Sequence, residues 1–413
     1  WSGFSRRVAG VSGGNHLMTQ RPTSSQWPAA LRLMLAAVAF AVVLAPWWLS
    51  RKAAREAFPG FELSSPSIPA DAQPFFFNEE INSTSPEAKA HSGTLAELPD
   101  GSLAAAWYAG SGEGARDVTI QFAARGADGK WSAPRAIFDH AAVSAAMDRY
   151  VLSLGNPLLL PESDGKLGLL FVSIAAGKWS GSSINYSVSN DRGETWSSPQ
   201  KLTLNPLGNL SALPRNPPVK LIGGGWAVPI YEEFLGRFPE MLWMRAEDAV
   251  PRAAVSRMDD GMTVFQPSVV PTAAENALAF YRDDSGIGRV MIAESSDAGR
   301  TWSKGQPSTV PNFDSGVCAL RLPDGRLICA FNDSTSRKRE NLRLAISSDG
   351  RSWRTFATLA EERGENFAYP YMILGRDGRV RIVYSARDTR IVYAEFNAAW
   401  VDAQIARGEE GAR

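Results

Sequence analysis

One polar residue recurs in the chain at a nearly constant distance before a tight turn, and six such residues could form one site. They stand eight or nine positions before the turns: His91, Asn156, Asn216, Gln266, Ser315 and Tyr369. An imidazole and a phenol can transfer protons, whereas amide and hydroxyl groups can hold sugar hydroxyls or a carboxylate. The set therefore predicts a site for a polar or acidic ligand, provided that the six segments meet in space.

The segments that carry these residues are strand-turn-strand units. Their turns are Asp100-Gly101, Asp164-Gly165, the triple glycine 223–225, Glu275-Asn276, Asp324-Gly325 and Asp377-Gly378, and apolar runs such as KLGLLFV follow them. Six units of a few antiparallel strands predict an all-β fold, a six-bladed β-propeller. Equivalent repeat positions would then surround the mouth of the central channel, which brings the six polar residues together.

A second repeat has the form S-x-D-x-G-x-T-W. It occurs as SNDRGETW at 189–196 and SSDAGRTW at 295–302, with a shortened copy SSDGRSW at 347–353 and a weak copy that ends at Trp131. Asp and Gly shape a tight turn, Ser or Thr satisfies its amides, and Trp covers the hairpin. This Asp-box motif is therefore predicted to be a folding device rather than a catalytic group.

Composition restricts the function further. The 413 residues carry 43 basic and 43 acidic side chains, so the formal net charge is zero and a general positive field for nucleic acid is excluded. Cys318 and Cys329 cannot form a disulfide scaffold, and we predict two buried thiols rather than one disulfide. No cluster has metal-ligand spacing, so the sequence calls for no metal or organic cofactor.

The N-terminal region differs in kind from the repeats. Residues 33–49 are almost entirely apolar, which predicts a transmembrane or uncleaved signal-anchor segment; a removed signal peptide and a buried core helix are the alternatives. The predicted organisation is a flank over 1–32, this segment, a linker over 50–84, the propeller over 85–397 and a tail over 398–413. We expect the propeller on the periplasmic or extracellular side, where acidic glycans are found, either membrane-anchored or secreted after cleavage.

The Asp-boxes, with FAYPYM and FYRDDSG, resemble the sialidase superfamily, specifically the BNR-repeat sialidase-like proteins, over roughly 85–397. The resemblance implies a six-bladed propeller that binds an acidic sugar through three arginines. It also implies a tyrosine nucleophile that a glutamate activates, with an aspartate as acid and base. Position by position, Tyr369 matches the nucleophile, and Arg282 and Arg339 match carboxylate-binding arginines.

Two positions depart from the family pattern. His91, in HSG, stands where the family has its first arginine, and Gln266 replaces the activating glutamate. No aspartate matches the acid and base; Glu232 or Glu233 is a candidate replacement. Arg215 precedes Asn216, and Arg149 and Tyr150 also lie near ring positions, so these are further candidates for the cleft. His140 is more consistent with a structural or exposed role.

Three functions remain open. The first is an exo-sialidase type of enzyme that cleaves glycosidic bonds of an acidic sugar or sialoglycoconjugate, which is the reading that the resemblance favours. The second is a polysaccharide lyase on glucuronate-containing glycans, because the His91 pattern also resembles a group of BNR-type lyases and pairs His91 with Tyr369. The third is a catalytically inactive propeller that binds anionic glycans.

Overall fold

The computed structural model describes residues 28–56, 60–64, 66, 73–82, 88–162, 164–204, 211–234, 236–245, 253–259, 261 and 263–410. The chain separates into two compact units, Trp1–Trp48 and Leu49–Arg413. All described strands belong to the second unit, where they form six antiparallel sheets. The fold is the predicted all-β, six-bladed propeller.

Each sheet is one blade, and its strands are hydrogen-bonded in chain order apart from β1 and β11. Strand β1 (Phe76–Glu80) belongs to blade 6. Blade 1 contains β2 (Lys89–Glu97), β3 (Leu103–Gly110), β4 (Thr119–Arg125) and β5 (Arg135–Phe138). Blade 2 contains β6 (Ser153–Pro161), β7 (Leu167–Ile174), β8 (Ser182–Ser189) and β9 (Gln200–Lys201). Blade 3 contains β10 (Ala212–Pro214), β11 (Val219–Lys220), β12 (Trp226–Glu232), β13 (Phe238–Met244) and β14 (Ala253–Arg257).

The remaining blades follow the same plan. Blade 4 contains β15 (Val264–Pro271), β16 (Ala277–Asp283), β17 (Arg289–Ser295) and β18 (Gln306–Pro311). Blade 5 contains β19 (Cys318–Arg321), β20 (Leu327–Phe331), β21 (Asn341–Ser347) and β22 (Arg354–Glu361). Blade 6 contains β23 (Phe367–Leu374), β24 (Val380–Ala386), β25 (Arg390–Phe396) and, at its outer edge, β1. Five of the six predicted turns join the first strand of a blade to the second, and in blade 3 the triple glycine joins β11 to β12.

The ring is closed by contacts between the first strands of neighbouring blades and by β1, which completes the last blade. Strand β2 contacts both β6 and β23, so the first and last blades are neighbours. Strand β1 pairs antiparallel with β25, from Phe76 opposite Phe396 to Glu80 opposite Val392. The region 50–84, predicted as a linker, therefore supplies one strand of the propeller. This pairing stabilises the ring because it covers the free edge of the last sheet.

The core is divided among the blade interfaces. Six apolar clusters of the described residues each combine side chains from two neighbouring blades, and the cluster between blades 1 and 2 includes Phe122 and Phe171. Because both faces of a blade are covered, inner strands such as β7 are buried along their whole length rather than at alternate residues. Cys318 and Cys329 are free and buried on neighbouring strands, as predicted, and each is opposite an alanine.

The Asp-box turns are closed by their own side chains. In the first copy, Asp191 accepts hydrogen bonds from the amide of Thr195 at 2.8 Å and from the hydroxyl of Ser189 at 2.7 Å. Trp196 Nε1 donates to the carbonyl of Gly193 at 3.0 Å. These hydrogen bonds from Thr195 and Ser189 lower the pKa of Asp191 to about 2. The copies at Asp297 and Asp349 have the same arrangement, so the motif fixes the hairpin and does not face the channel.

The described residues also form three α-helices. Helix α1 (Ala29–Glu56) covers the predicted membrane segment 33–49, but no helix in the described part of the chain is long and apolar enough to cross a membrane. The prediction of a transmembrane segment is therefore not supported. Helix α2 (His140–Ala146) joins blades 1 and 2, and a single 3₁₀ turn (Lys178–Gly181) follows β7. Residues 398–410, predicted as tail, form helix α3 (Ala398–Glu410), whose Trp400 packs on Phe76 with ring centroids 4.9 Å apart.

We expect Gly193→Ala to lower the free energy of unfolding by about 2–4 kcal/mol, because φ of +97° is strained for alanine and its Cβ would lie 2.2 Å from Phe122. Gly165→Ala is the matched control: φ is +85° there but nothing lies within 4 Å, so about 1 kcal/mol is expected. Urea denaturation of both variants checks this. Equal losses of stability in the two variants would show that Phe122 moves away from the new Cβ without a measurable free-energy cost.

Candidate active site

A backbone bulge interrupts the first strand of four of the six blades. The register shifts between His91 and Thr94, Gly155 and Leu158, Phe265 and Ser268, and Ala368 and Tyr371. Within these shifts the φ angle is positive at Ser92 (59°), Asn156 (40°), Gln266 (49°) and Tyr369 (57°). A bulge redirects a side chain, and positive φ in residues other than glycine is uncommon and concentrated at functional sites. The fold therefore repeats one unusual conformation in four blades.

The bulges correct the predicted ring in blade 1. Ser92, and not His91, is the equivalent of Asn156, Gln266 and Tyr369, and His91 precedes it by one residue. The sequence does contain the signal, because every member stands before Pro or Gly: Ser92-Gly93, Asn156-Pro157, Asn216-Pro217, Gln266-Pro267, Ser315-Gly316 and Tyr369-Pro370. His91 instead shares its repeat position with Arg215 and Asp314, which precede the ring members of blades 3 and 5.

Tyr369 is surrounded by cationic and aromatic side chains. The Cζ atoms of Arg215 and Arg339 lie 5.1 and 5.5 Å from the centre of its ring, within the range of cation–π attraction. The imidazole of His91 meets the same ring edge-on, with centroids 6.2 Å apart. The structure therefore brings together the predicted Tyr369, Arg339 and His91 from blades 6, 5 and 1, with Arg215 from blade 3.

The three arginines differ in how their charge is balanced. Arg282 Nε donates to Asp314 Oδ1 at 2.8 Å, and its Nη1 donates to Gln266 Oε1 at 3.1 Å. Burial opposes the charge of Arg282, but Tyr369 and Asp314 outweigh it and raise its pKa. Arg339 donates to the hydroxyl of Ser315 and to the backbone carbonyl of Asp314, both at 3.0 Å. Its partners are neutral groups.

Arg215 has the least compensated charge of the three. It is 4% exposed, and its Nη2 donates to the carbonyl of Pro370 at 3.3 Å, while its Nε has no hydrogen-bond partner. Burial lowers the pKa of Arg215. Within the described residues neither Arg215 nor Arg339 forms an ion pair with a carboxylate. Two guanidinium groups without a carboxylate partner therefore lie against the ring of Tyr369, an arrangement that favours a bound anion.

The amide side chains of the ring serve mainly to join blades. Asn216 Nδ2 donates to the carbonyls of Gln266 and Pro267, at 2.9 and 3.0 Å. Asn156 and Gln266 both donate to Tyr231 Oη, at 3.3 and 3.2 Å. Gln266 is therefore directed at Tyr231 and does not bond to Tyr369. Together with Ser315, which accepts from Arg339, these residues mainly position the site, although the buried Asn216 Oδ1 has no hydrogen-bond partner.

The comparisons with known proteins agree with this architecture. The family model described as BNR repeat-like domain matches residues 101–382. The chain belongs to the BNR repeat-like family. A comparison with curated protein sequences finds no significant match.

Several solved structures share the fold at low identity. A Hadza microbial sialidase is 15% identical with a TM-score of 0.62, and the match covers 74% of this chain and 65% of that one. A Dyadobacter fermentans protein of unknown function is 17% identical with a TM-score of 0.63 over 78% and 97%. The intramolecular trans-sialidase of Ruminococcus gnavus is 13% identical with a TM-score of 0.60 over 76% and 95%. Identities this low establish the fold alone.

In this BNR repeat-like chain, the predicted acid candidate Glu232 differs from its neighbour Glu233. Glu232 is the last residue of β12, and Glu233 follows the strand, where its amide donates to the hydroxyl of Ser211 at 2.9 Å. Burial raises the pKa of Glu233, although Arg237 and Arg282 act in the opposite direction. Glu233 is thus a second carboxyl group, besides Asp314, within electrostatic reach of Arg282, and it retains its proton to a higher pH than an exposed glutamate.

His91 is largely buried between two tyrosines and an aspartate. Its Nε2 is 3.9 Å from Asp388 Oδ1, and its buried Nδ1 has no hydrogen-bond partner. Burial lowers the pKa of His91, although Asp388 opposes this, so the imidazole is neutral at pH 7. Tyr108 lies opposite His91 in the strand register, with ring centroids 5.9 Å apart. A neutral, partly unsatisfied imidazole is able to accept a proton.

Tyr108 and Glu113 were not predicted as site residues. Tyr108 Oη donates to Glu113 Oε1 at 3.3 Å, and burial raises the pKa of Tyr108 well above its usual value. The hairpin register of blade 1 would have indicated Tyr108, since it pairs with His91. No such local signal identifies Glu113, which lies in the loop after β3. Among the described residues no group of three or more His, Cys, Asp or Glu is arranged to hold a metal.

We expect Asn216→Ala to lower the free energy of unfolding by about 2–3 kcal/mol, because two buried carbonyls of blade 4 would lose their donor. Asn78→Ala, at an exposed position of β1, is the control and should change stability by less than about 0.5 kcal/mol. Thermal and urea unfolding measure both. If Asn216→Ala leaves the free energy of unfolding unchanged, water replaces the amide at the blade interface.

Proposed function

We propose that the protein is a carbohydrate-active enzyme that cleaves the glycosidic bond of an acidic sugar at Tyr369. The observation that carries the proposal is the pair of guanidinium groups, Arg215 and Arg339, within 5.1 and 5.5 Å of the Tyr369 ring. Neither makes an ion pair with a carboxylate among the described residues. An enzyme that acts on a carboxylated sugar needs such an anion site next to its reactive group.

Arg339 is the arginine best placed to hold the sugar carboxylate. It is partly exposed, whereas Arg215 and Arg282 are buried. Its contacts to Ser315 and to the carbonyl of Asp314 fix the guanidinium plane. A fixed planar guanidinium binds a carboxylate through two parallel hydrogen bonds. Arg215 would then add positive potential beside Tyr369, whereas the charge of Arg282 is balanced by Asp314.

Hydrolysis requires a nucleophile, a proton acceptor for it and an acid for the leaving group. Tyr369 oxygen would attack the anomeric carbon while Glu233 protonates the departing glycosidic oxygen, and water would then release the sugar from Tyr369. The raised pKa of Glu233 supports the acid role. Because Gln266 cannot accept a proton and faces Tyr231, the neutral His91 would receive the phenol proton.

A lyase reaction is the second candidate, and the state of His91 favours it. A neutral imidazole with an unpartnered Nδ1 next to Tyr369 could remove the C5 proton of a uronate. Tyr369 would then protonate the leaving oxygen, and the products would be a new reducing end and an unsaturated uronate. The same arginines would neutralise the uronate carboxylate. This route requires no nucleophile.

The full chain should be incubated with sialylated and glucuronate-containing glycans while products are followed by mass and ultraviolet absorbance. We expect an acidic sugar heavier by one water for hydrolysis, or an absorbing product from elimination. Tyr369→Phe should reduce the rate at least about 10³-fold in either case. Tyr384→Phe, a buried tyrosine of blade 6, is the control. Binding without any product would leave a glycan-binding protein and overturn the proposed activity.

Catalysis should depend on the neutral form of His91. Since burial lowers its pKa from 6.5, the imidazole is neutral at pH 7 and becomes charged only at lower pH. We therefore expect kcat/KM to fall as pH decreases through a value below 6.5, and His91→Gln to be about 10²–10³-fold slower at pH 7. A pH profile of both proteins tests this. An unchanged acidic limb in His91→Gln would assign that limb to another group.

We also propose that the propeller lies on the periplasmic or extracellular side, because acidic glycans are found outside cells.

A further inference from the structure

A cavity lies beside blades 1 and 2, and its lining does not include Tyr369. Its volume is about 650 Å³, and the side chains that matter for its chemistry are Arg116, His140, Asp148, Arg149 and Tyr150. One wall is the loop between β3 and β4, and the other is helix α2 with the segment that leads into β6. Ser153 Oγ donates to the carbonyl of Ala115 at 2.7 Å and joins the two walls.

This cavity opens at the same end of the propeller as the candidate active site. Gly110, where the β3–β4 loop begins, pairs with Lys89, two residues before His91. Phe138, the last residue of β5, pairs with Ile120 at the beginning of β4, so helix α2 starts at that end as well. The loop also carries Glu113, which accepts from Tyr108. The two sites are therefore neighbours on one face of the propeller.

The charge of the cavity is not balanced by carboxylates. Arg149 makes no hydrogen bond through its guanidinium and no ion pair with any described residue, and burial lowers its pKa. Burial and the positive charge of Arg149 also lower the pKa of Lys201. Arg116 Nε donates to His140 Nε2 at 3.1 Å and not to a carboxylate. Asp148 is the acidic side chain of the lining, so cations predominate and favour an anionic ligand.

An exposed aromatic ring completes the cavity. Tyr150 is 60% exposed, next in sequence to Arg149. An exposed tyrosine provides an apolar face with a polar edge, which suits the face of a sugar ring, and an adjacent guanidinium suits its carboxylate.

We propose that this cavity binds a second acidic sugar residue of the substrate chain, so that the substrate is an extended acidic glycan rather than a single terminal sugar. The proposal rests on the proposed function for its first site, the one at Tyr369. The shared chemistry is a chain of carboxylated sugars, and both sialic acid and uronate polymers provide it. Such a ligand would gain affinity from the link between two sites.

Binding to the full chain with Tyr369→Phe, which prevents turnover, tests the proposal by calorimetry. One arm compares an α2,8-linked sialic acid tetramer with sialic acid, and the other compares a hyaluronan hexasaccharide with glucuronic acid. In the arm that matches the substrate, we expect the oligosaccharide to bind at least about tenfold more tightly than the monosaccharide. Arg149→Gln and Tyr150→Ala should each remove about tenfold of oligosaccharide affinity and leave the monosaccharide unchanged.

Two further variants separate this proposal from the proposed function. Arg351→Gln is the control for loss of charge, because Arg351 is exposed and lies in an Asp-box at the opposite end of the blades. This variant should change the affinity for neither ligand. Arg339→Gln should weaken both ligands. If it weakens neither while Arg149→Gln still acts, the cavity binds acidic sugar but the site at Tyr369 does not. If Arg149→Gln and Tyr150→Ala both behave like Arg351→Gln, or no oligosaccharide binds, the proposal is overturned.

Discussion

The bulge in the inner strands is the constraint on which the candidate site depends. A regular strand would present alternate side chains to the two blade faces, and both faces are filled by neighbouring blades. The shift at Ala368 and Tyr371, with positive φ at Tyr369, instead turns one side chain out of that alternation. Pro or Gly after each ring residue fits this geometry, because the ladder amide is absent or the backbone unrestricted. Polar residues can thus occupy an otherwise apolar interior.

Closure of the ring is what makes these local bulges a single site. Neighbouring first strands touch around the propeller, and side chains from different blades then satisfy one another. Asn216 of blade 3 bonds the backbone of blade 4, and Arg282 of blade 4 bonds Asp314 at the start of blade 5. The polar groups that hold the ring together are consequently the ones that fix the positions of the reactive ones. Stability and site geometry are coupled here, since breaking either set of bonds leaves buried polar atoms unsatisfied.

The sequence predicted features whose physical cause is local. Asp191, Ser189 and Trp196 close their turn with bonds inside one octapeptide, so the motif alone indicates the hairpin and, by repetition, the blades. Features that depend on other blades were missed or misplaced. His91 was assigned to the ring because a count back from the turn cannot show on which side of a bulge it lies. Strand β1 lay in a predicted linker, since only the open edge of β25 gives it a partner.

Gln266 shows why a substitution in a site can alter the route of a proton without disrupting the site. Its carbonyl accepts from Arg282 and its amide donates to Tyr231, so one neutral side chain satisfies a cation and a hydroxyl oxygen at once. A carboxylate could only accept, and Asn156 would then be the remaining amide donor to Tyr231. The amide therefore satisfies both neighbours without a charge of its own. In the proposed reaction, the proton of Tyr369 would therefore go to His91, which is neutral and has one ring nitrogen without a partner.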